Sequence, residues 1–227
     1  MQEITRPPSL SDIATEKLRI AIMNGEFKLG EALSEKKLAD RLNISKTPIR
    51  HALAQMRVEG LVEVFPQKGS FVFTLSGMDL VRFSEHRVIL ETAALELAFE
   101  RNLDALVSRL KGIWEKMLQA KKSSSIQKYL EMDIEFHRCF FQFADNSYLA
   151  ESYSLIEAKI SAIRTHLGRD VIQTDKSLEE HHEMVIALEK GDLDKCISVL
   201  EFHIGRYHRT YSEDVMDISN PADALSN

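Results

Sequence analysis

The sequence predicts a mainly α protein, with an N-terminal winged helix-turn-helix followed by a C-terminal antiparallel all-helical bundle. Three observations predict it. Residues 31–73 read as two short helices, a tight turn and a glycine-punctuated hairpin. Between Pro66 and Pro221 there is no proline, and from about Gly77 onward the hydrophobic pattern is helical throughout. At 227 residues with 44% hydrophobic content, the chain is long enough for two cores.

The first half opens with a helix over 13–23, closed by the turn Asn24-Gly25. The next helix starts near Ser34 and puts Leu38, Ala39 and Leu42 on one face. Asn43 tolerates the left-handed conformation that a turn needs, and Ser45 is a favoured cap for the helix after it. Pro48 falls in that helix's first turn, where the missing N–H has no intrahelical acceptor to lose. Ile49, Ala52, Leu53 and Met56 recur at three- and four-residue steps and face the core. This leaves Ser45, Lys46, Thr47, Arg50 and His51 at the exposed N-terminal end, where a recognition helix meets base edges and phosphates in the major groove. Gly60 ends the helix. Strands over 61–64 and 70–73 pair around Pro66-Gln67-Lys68-Gly69, so Lys68 and Gly69 form a wing tip able to reach phosphate or the minor groove.

These residues resemble the DNA-binding domain of the GntR superfamily of bacterial transcription regulators. The resemblance rests on Leu29-Gly30, Leu33, Ser45-Lys46-Thr47-Pro48-Ile49-Arg50, Ala52-Leu53, Leu61-Val62 and Gly69-Ser70-Phe71-Val72, within a domain over 9–75. His51 departs from it, standing where the family usually carries an acidic residue. That removes one possible acid partner for Arg50 or Lys46.

Composition fits a cytoplasmic protein with no membrane partner: no long apolar span and no secretory leader is present. Cys139 and Cys196 fall in helical patterns and suggest neither a disulfide framework nor a zinc knuckle. The formal net charge of -6 is unevenly shared. Residues 1–75 hold 11 Lys/Arg against 9 Asp/Glu, so the acidity lies in the second half and DNA specificity must come from local placement of charge in the first.

In the second half the pattern predicts helices over 77–100, 103–120, 124–144, 146–167, 176–189 and 193–214, with a short hinge over 74–78 and a flexible tail over 215–227. Each amphipathic helix has one apolar stripe to bury, so the set packs as a bundle over 77–214. Asp133 and His137 are four apart on one helical face, among Phe136, Cys139, Phe140 and Phe143. A buried carboxylate beside a buried imidazole wants a counter-charge, and a divalent cation is one way to supply it. His181 and His203, from the last two helices, could complete a three-histidine, one-carboxylate site. On spacing alone, plain hydrogen bonding between buried polar residues explains the same pattern.

The run Asp133-x-x-x-His137, Glu180-His181, Ala187-Leu188, Gly191-Asp192 and His203-Ile204 resembles the all-helical FCD ligand-binding domain of the FadR-type branch, specifically its metal-containing members. The resemblance implies that Asp133, His137, His181 and His203 hold one divalent transition metal per chain, as zinc, nickel, manganese or iron. It also implies that Arg87, with Glu91 one turn later, faces an effector pocket. Arg164 joins Arg87 as a candidate effector-binding residue, although a solvated face accounts for Arg164 and His166 equally well. His182 lies about 100° around the helix from His181 and is expected behind the ligands or facing solvent, with a swap of the two histidines as the alternative.

The expected function is a metal-containing transcription regulator that responds to a small carboxylic acid, a repressor released by its effector. The apparent metal site argues against a long acyl thioester. Its partners would be palindromic operator DNA and a second copy of the chain, because two modules related by a twofold axis read a palindrome. Leu90, Ala93, Ala94, Leu95 and Leu97 offer apolar surface for core and partner alike. No nucleophile arrangement, phosphate loop or dinucleotide fingerprint points to an enzyme. The alternatives are an architectural DNA-binding dimer without metal, and a helical metalloenzyme fused to a DNA-binding module.

Overall fold

The computed structural model describes residues 7–167 and 171–211, with side-chain detail outside 167, 171–173 and 207–211. The chain is mainly helical and divides into two compact units between Thr74 and Leu75.

The first unit holds α1 (Leu10–Met23), α2 (Glu35–Leu42) and α3 (Lys46–Val58) beside a small sheet of β1 (Ala32–Leu33), β2 (Val62–Phe65) and β3 (Gly69–Val72). Ser9 and Asp12 form a reciprocal capping box at the start of α1. Ser34 caps α2 by accepting from the Lys37 amide. Asn43 ends that helix in the left-handed region, φ 53°, as its short polar side chain allows. Gly60 does the same after α3 at φ 70°, with the Leu61 amide donating to the Met56 carbonyl. Ile49, Ala52, Leu53 and Met56 are all buried and seat α3 in the core.

The wing differs from the expected hairpin. It is a three-stranded antiparallel sheet in the order β1-β3-β2, with Val62 opposite Val72 and Phe65 opposite Gly69. Both long strands start and stop one residue from the predicted limits. The unexpected β1 pairs Ala32 with Phe71 and Leu33 with Ser70. Two residues are too few to show alternation, so only the edge left open by β3 recruits them. Pro66 and Gln67 make the wing turn, closed by the Lys68 amide on the Phe65 carbonyl, and Gly69 adopts φ 105°.

The second unit is the helical bundle: α4 (Gly77–Lys122), α5 (Ile126–Ala144), α6 (Ser147–Leu167), α7 (Val171–Glu189) and α8 (Leu193–Tyr211). The two helices expected over 77–100 and 103–120 run on as one, bent at Asn102, which leaves helical geometry at φ −147°, ψ 39°. The bend is braced: Asn102 donates to the Phe143 carbonyl at 2.9 Å, and Arg101 donates to the carbonyls of Ala144 and Asp145. These bonds satisfy open acceptors at the end of α5 and tie both arms of α4 to it. Helix α7 starts earlier than expected, at Val171 rather than 176, while the predicted 212–214 and the tail 215–227 lie outside the described residues. Leu95, Leu106, Leu110, Phe136, Phe140, Met184 and Leu200 are among the fully buried side chains that fill the bundle.

Two glycine substitutions should separate by sign. A Cβ at Gly112, inside α4, meets nothing within 4 Å, so Gly112→Ala should stabilise by about 0.5–1 kcal/mol. Gly60→Ala forces a Cβ into the left-handed region and should destabilise by about 1 kcal/mol. Chemical denaturation of both variants checks this, and the same sign for both would contradict the backbone assignment.

Candidate functional site

In the first unit, Ser45, Lys46, Thr47, Arg50, His51, Lys68 and Gly69 are all exposed, the first five at the start of α3 and the last two at the wing tip. Ser45 takes the cap position with extended backbone, but its side chain makes no capping bond, contrary to expectation. No acidic residue lies in the first turn of α3. A helix N-terminus with its partial positive charge uncompensated suits a phosphate. Sequence reasoning missed Glu35: Arg50 Nε donates to Glu35 Oε2 at 2.8 Å across α2 and α3. Thus α2 supplies the acid that His51 does not. Both side chains are exposed, so the pair contributes about 0–1 kcal/mol and yields readily to a stronger acceptor.

In the second unit, Asp133, His137, His181 and His203 converge from α5, α7 and α8, their ligand atoms within 4.8 Å of one another and all four side chains buried. His137 Nε2 lies 3.2 Å from His203 Nε2 and 3.4 Å from His181 Nε2. His181 Nε2 is 3.5 Å from Asp133 Oδ1. The opposite nitrogens turn outward to partners that sequence spacing did not assign. His137 Nδ1 meets Glu91 Oε2 at 2.5 Å, His203 Nδ1 meets Glu180 Oε2 at 2.8 Å, and His181 Nδ1 meets the Ser177 hydroxyl at 3.4 Å. A carboxylate only accepts, so Glu91 and Glu180 place the protons of His137 and His203 on Nδ1 and leave Nε2 as a lone pair facing inward. Inward lone pairs at this spacing repel unless a cation or proton lies among them. The donor set is of a kind able to hold a metal ion.

His182 is exposed and stacks on Trp114, ring centroids 4.1 Å apart, so it faces away from the cluster. Arg87 and Arg164 are both buried, at 4% and 2% exposure, which settles Arg164 as inward. Arg87 donates through Nε and Nη2 to Glu91 Oε1 at 2.9 and 2.7 Å. Arg164 Nη1 lies 2.8 Å from Asp133 Oδ2. Arg206, which the sequence did not single out, pairs with Glu180. Each buried carboxylate around the cluster is therefore matched by a buried arginine.

These fields set the charge states. Burial alone would raise Asp133, but Arg164 and the nearby imidazoles outweigh it and hold the carboxyl well below the usual range. Burial, then Arg164, keeps His137 neutral. Burial pushes His181 down to about 3, with His203 adding to the effect, and burial pushes His203 down to about 4. Burial also raises the thiols of Cys139 and Cys196 to about 11 and about 12, so neither is a ready thiolate nucleophile.

Comparison with known proteins finds two family matches: the FCD domain over residues 83–206, more than half of the chain, and "Bacterial regulatory proteins, gntR family" over residues 10–72. A "Probable D-xylose utilization operon transcriptional repressor" from Paenarthrobacter nicotinovorans is 28% identical over 186 residues, 82% of this chain and 81% of that protein. The gluconate operon transcriptional repressor of Bacillus licheniformis is 25% identical over 189 residues, 81% of this chain and 77% of that one. Among solved structures, E. coli McbR/YncC superposes with a TM-score of 0.74 at 21% identity, covering 90% of this chain and 100% of that one. It shares the fold.

The neutral histidines predict an acid-labile, metal-free bundle. Unfolded histidine titrates near 6.5, while His181 and His203 stay neutral to about 3 and about 4 when folded. As pH falls below about 6.5 the unfolded chain binds protons that the folded chain refuses, so stability present above that value drains away toward pH 4. Chelator-treated protein should lose on the order of a few kcal/mol between pH 7 and pH 5. A thermal midpoint that stays flat across this window would sink the assignment.

Proposed function

The chain belongs to the FCD-domain family of gntR-type bacterial regulators, and on that premise we propose that it is a cytoplasmic, metal-containing repressor whose grip on operator DNA is released by a small carboxylic acid. It is a DNA-binding regulator and not an enzyme. Among the described residues no helix is long and apolar enough to cross a membrane. The repressors among its relatives support the direction of control, and the gluconate operon that one of them represses is in keeping with an acid ligand.

The observation that carries the sensing half is the charge balance around the cluster. Arg87 cancels Glu91, Arg164 cancels Asp133, Arg206 cancels Glu180, and the imidazoles are neutral. With one divalent ion (zinc, nickel or manganese) held by Asp133, His137, His181 and His203, this buried cage carries two surplus positive charges. Low dielectric makes such a surplus unfavourable, and an anion relieves it. The ion when bound supplies a Lewis-acidic anchor for a carboxylate. Arg87 and Arg164 are the adjacent cations that would receive the rest of the ligand, each exchanging a protein carboxylate for one from the ligand.

The reading head is the exposed start of α3 with the wing: Ser45, Lys46, Thr47, Arg50 and His51 toward base edges and phosphates, Lys68 and Gly69 toward the flanking backbone. One such module covers few base pairs, so the operator is palindromic and the active form a homodimer. A ligand that prefers one state of the bundle shifts the population competent to bind the operator.

Two experiments test this. Metal content by mass spectrometry of untagged protein should give near one ion per chain, lost in His137→Ala and His181→Ala and kept in His182→Ala. Retention of metal in the first two variants would relocate the site. In selection from a random DNA library, the wild type should enrich a palindromic motif. Arg50→Ala should weaken binding to that motif by at least tenfold and relax one position per half-site, by about 1–3 kcal/mol of discrimination. An unchanged motif would remove Arg50 from the reading head.

A further inference from the structure

One buried group beside the cluster has no role in the site described above. Tyr153 on α6 is 3% exposed, and its hydroxyl finds no hydrogen-bond partner among the described residues. The ring is fixed by stacking on Phe141, with centroids 4.1 Å and planes 23° apart. Phenylalanine would pack this way equally well. The hydroxyl adds only the desolvation of a polar group left unmatched, which is unusual in a folded interior and asks for a partner.

Its surroundings say where that partner would lie. Phe141 stands one helical turn beyond His137 on α5, so the stacked pair adjoins the cluster. On α6, Tyr153 and Ile160 share a buried stripe with Arg164. Burial, then the fields of Glu91, Arg164 and Arg87, govern the phenol, and the net result raises it far above its ordinary range. It is therefore always protonated and able to donate. Those three charged groups are the same ones that flank the histidines. Glu157, the remaining charge within reach, is engaged by Arg138.

We propose that Tyr153 is a ligand-reading residue: its hydroxyl donates to an oxygen of the bound acid beyond the carboxylate held at the cluster, so the site selects acids with a second oxygen-bearing group. A monofunctional fatty acid would leave the phenol unmatched, whereas a hydroxyl, keto or second carboxylate oxygen satisfies it. The inference rests on the acid-sensing reading above. Tyr153 is placed to discriminate among ligands and not to hold metal or DNA.

The test compares wild type and Tyr153→Phe as zinc-loaded, full-length protein against paired acids: lactate with propionate, gluconate with hexanoate, succinate with butyrate. Melting temperature without acid and affinity by calorimetry are the readouts. The wild type should favour the oxygen-rich member of at least one pair, and Tyr153→Phe should reduce that preference about tenfold. Its acid-free melting temperature should be unchanged or higher. A fall of several degrees without acid would mean that the hydroxyl already has a structural partner, and the proposal fails. An acid preference identical to wild type also overturns it, while leaving acid sensing intact. A wild type that responds to none of the acids overturns acid sensing itself, and this inference with it.

Discussion

The second unit depends on one constraint: three imidazole nitrogens face each other at 3.2 and 3.4 Å in the buried centre of the bundle. Imidazolium ions could not coexist at that spacing, and burial forbids the charge in any case. Burial and the nearby arginines hold the rings neutral, while Glu91 on His137, Glu180 on His203 and Ser177 on His181 orient them. Those carboxylates are themselves buried, so each requires an arginine. The arrangement is a nested set of obligations that runs from the rings outward, and removing any outer member strands an inner charge.

The obligations reach every helix of the bundle. Arg87 and Glu91 come from α4, Asp133 and His137 from α5, Arg164 from α6, Ser177, Glu180 and His181 from α7, and His203 and Arg206 from α8. An ordinary apolar core such as that around Phe136, Phe140 and Leu106 tolerates small readjustments because dispersion is not directional. Charge-assisted hydrogen bonds are directional, and a carboxylate that changes partner moves the helix carrying it. In the proposed sensing, a ligand that competes for Arg87 or Arg164 therefore acts on helix positions and not only on local charge.

Much of this was legible in the sequence, for identifiable reasons. Helix periodicity, Asn43 and Gly60 mark α2, α3 and the turns that bound them, because left-handed backbone is restrictive enough to leave a signature. Asp133 and His137 are legible as a pair because i and i+4 share a face. His181 and His182 could not be separated by spacing with certainty, since adjacent residues differ only in which face the helix presents; the stack of His182 on Trp114 decides it. The partners Glu35, Glu180 and Arg206 are ordinary surface-looking charges in one dimension. Their roles arise from contacts between helices, which periodicity does not encode. The two-residue β1 escapes for a similar reason: it is a strand only because β3 offers it an edge.

The same physics bounds how strongly such a sensor can work. To lower operator affinity a hundredfold, a ligand must prefer the released state by about 2.7 kcal/mol, within the usual range of coupling energies. Exchanging one buried arginine–carboxylate pair for another is suited to that scale, because each exchange replaces one strong interaction with a similar one and only the difference remains. Full disruption of a buried pair would overshoot and threaten the fold. Under the proposed acid sensing, linkage then requires reciprocity: operator DNA must weaken the hold on the acid by the same factor. The exposed Arg50–Glu35 pair stands at the opposite extreme. It is weak enough for DNA to displace without help, so under the proposed regulation the controlled step lies in the population of binding-competent molecules.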